Sequence, residues 1–436
     1  MADRIEPRVL KGFRDFLPEQ EGRRKAVQTI LEQEFRRHGF LPIDTPVLEY
    51  TDVLLGKGGG ETDKQIYRFE DNGGRDVSMR FDLTVPFARY MALHRNELYL
   101  PFKRYHIAKV FRGENTQRGR YREFTQCDFD IVGVDAASAD FEILLLMVRS
   151  LQALGVREFQ VHLSHRGIFN RFLSSLGIAG QSVELLRTVD KIKKIGNDAV
   201  RAELDTLVGP DAAQKVMAFV TADGSAEEVL HTLIGLAGNE PADTGRLAAV
   251  LDAAGAVGIM DHVRLDPSIT RGLDYYTGIV FETFLTRLPE IGSVCSGGRY
   301  NDLASLYTKE HLPGVGSSIG LDRLLAALEE LDDTAVVAQS VDVLVVSFTD
   351  EDMGANHALA EVLRARGLAV EVYPEAKKLG VQFAFAEKKG IPVAVICGPE
   401  ERAAGTVNVK DLTNRTNHDG LSVDGAAETI ASILGR

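Results

Sequence analysis

Arginine recurs in four short segments of the chain, beside strands, turns and one helix start. In FKRYHIAKVFRGENTQRGRYREFTQCDFDIVG, Phe102 to Gly133, two strand-like arms flank the polar loop Gly113–Gly119. Arg112 stands at one mouth, and Arg120 and Arg122 at the other. Side chains two apart in a strand point the same way, so Arg120, Arg122, Phe124 and Gln126 are expected on one face, with Asp130 further along it. The planar fork of arginine suits phosphate oxygens, which makes a polyanion clamp one reading. A solvated basic hairpin fits the same segment. Gln126 and Asp130 are suited to a polar group on a small ligand. In GVGSSIGLDRLLAAL a Gly/Ser-rich strand runs into a helix with Arg323 in its first turn. A helix N-terminus favours phosphate, although close packing by the glycines and an i,i+4 partner for Arg323 explain the pattern too. RGLDYYTGIVFE sets Arg271, Asp274, Tyr275 and Tyr276 just ahead of an apolar strand, and CSGGRYNDL adds Arg299 and Tyr300. MRFDLTVPFARY carries Asp82 and Thr84, where the acid reads either as a helix cap or as a holder of an ammonium group.

These residues need a frame. Glu19–His38 has helical spacing, with Val27, Ile30, Leu31 and Phe35 on one face and Gly39 as a stop. Strand patterns follow at Leu41–Glu49, Ile66–Glu70, Val77–Phe81, Lys103–Arg112 and Tyr121–Val132, then a helix at Phe141–Leu154. That order predicts an antiparallel sheet covered by helices, an α+β arrangement. From Gly167 to Ala256 the chain is rich in Ala, Leu, Asp and Glu at helical spacing, and reads as a helical insertion. Strands return at Gly278–Phe284 and Gly314–Gly320, followed by a helix at Leu321–Leu331. LDDTAVVAQS reads as a linker, and beyond it VDVLVVSF, LAVEVYP and IPVAVIC alternate with helices as in a small α/β domain with mostly parallel strands. The expected boundaries are 1–166 with 257–331 for the site-bearing domain, 167–256 for the insertion, 332–340 for the linker and 341–436 for the terminal domain.

The bulk numbers narrow the classes. A chain of 436 residues exceeds one ordinary core. Three widely spaced cysteines without a CxxC argue against a structural zinc site or a disulfide framework. No run approaches a membrane span, and MADRIEPRVLKG lacks the apolar core of a secretory signal, so a cytoplasmic location is expected. A net charge of −13 argues against general coating of nucleic acid, but not against a local basic surface. The Gly-rich GKGGGETDK is not a P-loop and reads as a mobile loop, and the glycine spacing of GVGSSIGLDR is not the dinucleotide fingerprint.

Taken together, these pieces resemble one family. Arg112 within its strand–loop–strand looks like motif 2 of the class II aminoacyl-tRNA synthetases, Arg323 in GLDR like motif 3, and Pro46 in GFLPIDTPVLEY like the proline of motif 1. RGLDYYTGIVFE and SGGRYNDL resemble the two signatures of histidyl-tRNA synthetases, and KGFRDFLP and GETDKQIYRF add to the match. The resemblance covers the whole chain. It implies an antiparallel-sheet catalytic domain with a helical insertion and a C-terminal α/β anticodon-binding domain. It implies a ligase that activates L-histidine with ATP, Mg2+ accompanying the nucleotide, and then charges tRNA(His). It also implies a homodimer built through motif 1, with no membrane partner. The residues carried over are Arg112, Glu114, Arg120, Arg122 and Arg323 for ATP, and Asp82, Thr84, Gln126, Asp130, Arg271, Tyr275, Tyr276 and Tyr300 for histidine. Arg112, Arg271 and Arg323 take the catalytic roles. Two departures are visible. Arg80-Phe-Asp-Leu-Thr84 replaces the R-P-E-G-T of many bacterial members, and Asn115 and Thr116 stand where an arginine often helps read the tRNA acceptor end. A catalytically inactive regulatory relative is the alternative, but such relatives typically lose the terminal domain and the arginine signature, and both are present.

Overall fold

Alternation along one long strand, Glu123–Val132, divides the largest sheet into an oily face and a polar face. The odd residues Cys127, Phe129 and Ile131 join the core with Val27, Leu31 and Phe35, whereas the even residues Gln126, Asp128 and Asp130 point away from it. The computed structural model describes residues 4–56, 64–269, 275–331 and 341–436. The chain divides into two units, Met1–Val337 and Ala338–Arg436.

In the first unit the strands are β1 (Leu41–Pro42), β2 (Leu48–Tyr50), β3 (Arg68–Glu70), β4 (Asp76–Met79), β5 (Phe102–Phe111), β6 (Glu123–Val132), β7 (Phe159–His165), β8 (Val263–Leu265), β9 (Ile279–Leu285), β10 (Cys295–Arg299) and β11 (Gly314–Gly320). Among the described residues the main sheet has the order β1-β5-β6-β11-β10-β9-β7-β8. It is antiparallel throughout, except that β1 pairs parallel with β5 and β8 parallel with β7 at the two edges. Helices Pro18–Arg37 and Ala137–Ala153 cover the oily face through Val27, Leu31, Phe35, Ile143 and Met147. The first of these ends where expected: Gly39 takes φ 79°, which a residue with a Cβ adopts only at a cost. The strand read over Leu41–Glu49 is split, because Pro42 and Pro46 each lack the N–H that a continuous ladder needs. Its second half joins a separate small sheet, ordered β2-β4-β3.

Residues 182–256 are mainly helical, with helices at Ser182–Val189, Asn197–Val208, Pro210–Val220, Ala226–Ala237 and Arg246–Ala256. Gly209, at φ 83°, turns the chain between two of them, and Pro210 opens the next with its fixed φ. Ser225 and Glu228 form a reciprocal cap on another.

The second unit contains β12 (Val343–Val345), β13 (Val370–Val372), β14 (Val393–Ile396), β15 (Val407–Asp411) and β16 (Thr416–Leu421) in the order β13-β12-β14-β15-β16. Helices bury both faces, with Val343, Val345, Val393 and Val395 on one side and Leu344, Val346 and Ala394 on the other. That is why these strands read as unbroken apolar runs. The sheet is mixed, where mostly parallel strands were expected. β14 pairs antiparallel with β15, and β15 with β16, whose short link from Asp411 to Thr416 allows a hairpin but no crossover.

Candidate active site

The polar face of the main sheet forms the floor of a cavity of about 500 Å³, within the usual size for a small-molecule site. Its walls come from the segments singled out in the sequence. β6 supplies Phe124, Gln126, Asp128 and Asp130 to the lining, β11 Gly316 and Ser318, and the hairpin loop Glu114 and Arg120. Arg112, Thr84, Tyr275, Tyr276, Tyr300, Glu282 and Arg323 also line it.

One end is cationic. Nε of Arg112 donates to the Phe81 carbonyl at 2.9 Å, and its guanidinium lies 5.1 Å from the Phe124 ring centroid. Arg323 donates through Nη1 to the Ser293 carbonyl at 2.6 Å, so its anchor lies across the cavity wall and not four residues along its own helix. Arg120 faces Glu114 at 3.7 Å. Burial first, then the positive field of Arg120, brings Arg323 down to about 10, which leaves it charged at neutral pH. Neutral carbonyls hold two of these arginines without neutralising them, which leaves net positive charge facing the mouth. Arg122 takes another course. The strand begins only at Glu123, so alternation does not reach back to it. Its backbone N–H bonds the Gly12 carbonyl at 2.9 Å, its Nε donates to the Glu114 carbonyl at 3.3 Å, and it does not line the cavity.

The other end is closed by phenols and carboxylates. Tyr300 donates its hydroxyl to Asp130 at 2.5 Å. Tyr275 packs edge-on against Tyr276 and Tyr300, with centroids 5.1 Å and 6.0 Å away. The glycines of two motifs make room for this. A Cβ on Gly316 would sit 1.9 Å from the Asp130 carboxylate, and one on Gly298 would sit 2.9 Å from the Tyr276 ring. Gln126 donates to Ser318 at 2.9 Å. Asp82 stands one layer back, behind Tyr275. One of its oxygens accepts the Val85 N–H at 3.0 Å, and the other accepts the Tyr275 hydroxyl at 3.4 Å. The cap and the polar contact read from the sequence therefore coexist in one carboxylate. Burial raises the carboxyl groups of both Asp82 and Asp130, with Arg104 pulling Asp130 the other way.

Sequence reasoning passed over two residues here. Arg104, on β5, is fully buried. Its Nη2 lies 2.7 Å from the free oxygen of Asp130, a close ionic contact without hydrogen-bond alignment, and 3.9 Å from Asp128. Asp128 lines the cavity between Gln126 and Asp130. The signal for Arg104 was an arginine two residues into an apolar strand. The signal for Asp128 was the same alternation that picked out its neighbours. Arg271 lies outside the described residues, as do positions 57–63 of the GKGGGETDK loop.

Among the described residues no three His, Cys, Asp or Glu side chains gather as a metal centre. The cavity therefore joins an arginine-rich mouth to a small polar end, as a site for a phosphorylated nucleotide beside an amino acid would. The model of the family described as histidyl-tRNA synthetase matches residues 12–324, and that of an anticodon binding domain matches residues 341–433. This chain belongs to the histidyl-tRNA synthetase family. The family joins a class II catalytic domain with an antiparallel sheet to a C-terminal α/β anticodon-binding domain. The histidine–tRNA ligase of Treponema denticola is 51% identical over 96% of this chain and 97% of its own length. That of Rhodopirellula baltica is 49% identical over 95% of each. The crystal structure of histidyl-tRNA synthetase from Nostoc sp. PCC 7120 superposes with a TM-score of 0.89 at 33% identity, covering 98% of this chain and all of that one. A Bacillus halodurans structure titled as an ATP phosphoribosyltransferase regulatory subunit/histidyl-tRNA synthetase shares the fold at TM-score 0.76 and 24% identity, over 91% of this chain and 99% of that one. Its likeness extends to the fold alone.

Proposed function

We propose that this cavity activates L-histidine with ATP and then passes the histidyl group to the 3′ end of tRNA(His). The observation that carries the reading is the convergence of Arg112, Arg120 and Arg323 on one mouth of a cavity whose far end is closed by phenols and carboxylates. In the first step the histidine carboxylate attacks the α-phosphorus and pyrophosphate leaves. Charge gathers on the phosphoryl oxygens, and preplaced cations facing that charge stabilise the transition state. Arg112 serves the α-phosphate, with Arg271 opposite it. Arg323 and Arg120 serve the outer phosphates, and Glu114 borders the same mouth. In the second step the terminal ribose hydroxyl of the tRNA attacks the activated carbonyl and AMP leaves. Asp130 and Tyr276 address the two nitrogens of a neutral imidazole, with Tyr300 beside them. Thr84, Tyr275 and Gln126 line the amino-acid end, and Asp82 supports it from behind Tyr275. Mg2+ enters with ATP. Glu114 and Glu282 line the mouth, and an ion that keeps waters and phosphate oxygens needs no more than one or two carboxylates.

The rest of the chain serves this reaction. Residues 167–256 form the insertion, and 341–436, beyond the linker 332–340, read the tRNA. Lys377 and Lys389 already meet Glu375 and Glu371 at 3.4 Å and 2.5 Å, so they add little free positive charge there. Leu41, Val47, Leu48 and Tyr50, around the motif 1 proline, are 40–53% exposed and form the apolar face of a homodimer. No described helix is long and apolar enough to cross a membrane, and the enzyme works in the cytoplasm. The test is ATP–pyrophosphate exchange. It should appear only with histidine, and exchange with none of the amino acids would leave the inactive regulatory relative as the better account.

A further inference from the structure

Asp128 is 1% exposed, yet it lines the cavity, and among the described residues its Oδ1 has no hydrogen-bond partner. A buried carboxylate oxygen without a partner is costly, and is expected where a ligand completes it. The nearest cation, Nη2 of Arg104, is 3.9 Å from the other oxygen and is already set against Asp130 at 2.7 Å. Along β6, Gln126, Asp128 and Asp130 form one row, and Ser318 stands opposite Asp128 on β11. Two residues of strand advance about 7 Å, a span that a histidine lying along the row covers from ring nitrogen to amino nitrogen once a hydrogen bond is added at its ends. Asp82, the acid that the family pattern assigns to the ammonium, stands behind Tyr275 with both oxygens engaged and does not line the cavity.

We propose that Asp128 accepts the ammonium group of the bound amino acid, at a level between Gln126 and Asp130. The inference rests on the reading of this cavity as the histidine site. It makes Asp128 a specificity-determining residue. A ligand with a ring but no amine leaves its oxygen unpaired, whereas a cationic amine satisfies both hydrogen bond and charge. Burial and the adjacent Asp130 raise the carboxyl to about 7 against the pull of Arg104 and of a hydrogen bond from the Ser318 hydroxyl, which still leaves Oδ1 without a partner, and an arriving ammonium would favour the ionised form.

Two ligands separate the groups. L-histidinol carries ring and ammonium without a carboxylate, and 3-(imidazol-4-yl)propionate carries ring and carboxylate without an ammonium. Isothermal titration on the full-length protein should show Asp128→Asn weakening histidinol by at least about tenfold, the scale of a hydrogen bond to a charged group. Binding of imidazolylpropionate should stay within about threefold. Equal losses for both ligands, or none for either, would overturn the assignment and return Asp128 to the ring or to the scaffold. Wild-type protein that binds neither ligand nor histidine would remove the histidine-site reading itself. Asn is close in shape and relieves a buried charge, so the variant is expected to fold. Asp128→Ser repeats the comparison if it does not, and two unfolded variants would make Asp128 a structural counter-charge to Arg104 and end the proposal.

Discussion

The two ends of the cavity solve opposite electrostatic problems. At the mouth, Arg112 and Arg323 are held by carbonyl oxygens of Phe81 and Ser293, which fix direction without cancelling charge. At the closed end, Asp82, Asp128 and Asp130 are buried around one fully buried cation, Arg104. The mouth keeps positive charge for a ligand that brings negative charge. The closed end keeps a surplus of acids for a ligand that brings an ammonium and a ring N–H. Charge placed for transition-state chemistry and charge placed for ground-state recognition therefore differ in their anchors, and the two ends should fail differently.

The largest effect is expected from breaking the mouth. Arg112→Ala removes a preorganised donor at developing charge, a loss on the order of 3 kcal/mol or roughly a hundredfold in rate. Adenylate formation should slow by at least that much in single-turnover kinetics, with histidine affinity little changed. Arg271→Ala should do the same, and transfer from preformed histidyl-adenylate should suffer far less in both. Activation within a few-fold of normal would leave Arg112 as a bracket for Phe81 and Phe124, and would take Arg271 out of the activation step.

Acid should break the closed end instead. His106 shares the strand face of Arg104, its Nε2 is 3.0 Å from Asp44, and burial followed by the fields of Arg104 and Arg80 lowers it to about 3. Its folded pKa lies below the unfolded value near 6.5. The stability it contributes is therefore present in full above pH 6.5 and is lost as pH falls toward about 3, at up to about 1.4 kcal/mol per pH unit. Thermal melting between pH 7 and 4 should show that slope, and His106→Gln should flatten it. An unchanged slope in the variant would assign acid sensitivity to the carboxylates alone.

How much of this contrast was legible depended on period and spacing. The mouth was readable because its arginines sit in short motifs, each beside a glycine or in a first helical turn. Half of the closed end was readable by counting in twos along one strand, which found Gln126 and Asp130. Arg104 was not, because an arginine inside an apolar strand gains meaning only when a cross-strand acid faces it, and β5 pairs Arg104 with Asp130 across a separation that no local pattern carries. Most of the long strands and helices were read within a few residues, but β7 (Phe159–His165) and β10 (Cys295–Arg299) were not. The split at Pro42 and Pro46 and the antiparallel end of the second sheet were missed, since both depend on where the chain goes next and not on its own alternation.

Asp130→Asn sharpens the recognition side. The change keeps the shape but removes the charge facing Arg104, at 2.7 Å, and weakens the acceptor for Tyr300. The KM for histidine should rise by about tenfold or more, the scale of one charged hydrogen bond, while that for ATP moves by much less. Parallel increases for both substrates would make Asp130 part of the scaffold and erase the division between the two ends.

The smallest effect tests how sharply the mouth is bounded. Arg120 and Arg122 are neighbours in one motif, and only Arg120 lines the cavity. What Arg122→Ala removes is one hydrogen bond at 3.3 Å to the Glu114 carbonyl. The backbone bond to Gly12 does not depend on the side chain and survives. A net hydrogen bond is worth about 1 kcal/mol, and part of it is recovered from water where the group is half-exposed. The KM for ATP in pyrophosphate exchange should therefore change by less than about threefold. Arg120→Ala, which takes a cation from the nucleotide itself, should cost about tenfold by the measure of a charge-assisted contact. If the two variants lose equally, Arg122 swings into the mouth when nucleotide binds, and the positive end extends one residue further along the hairpin than its resting geometry places it.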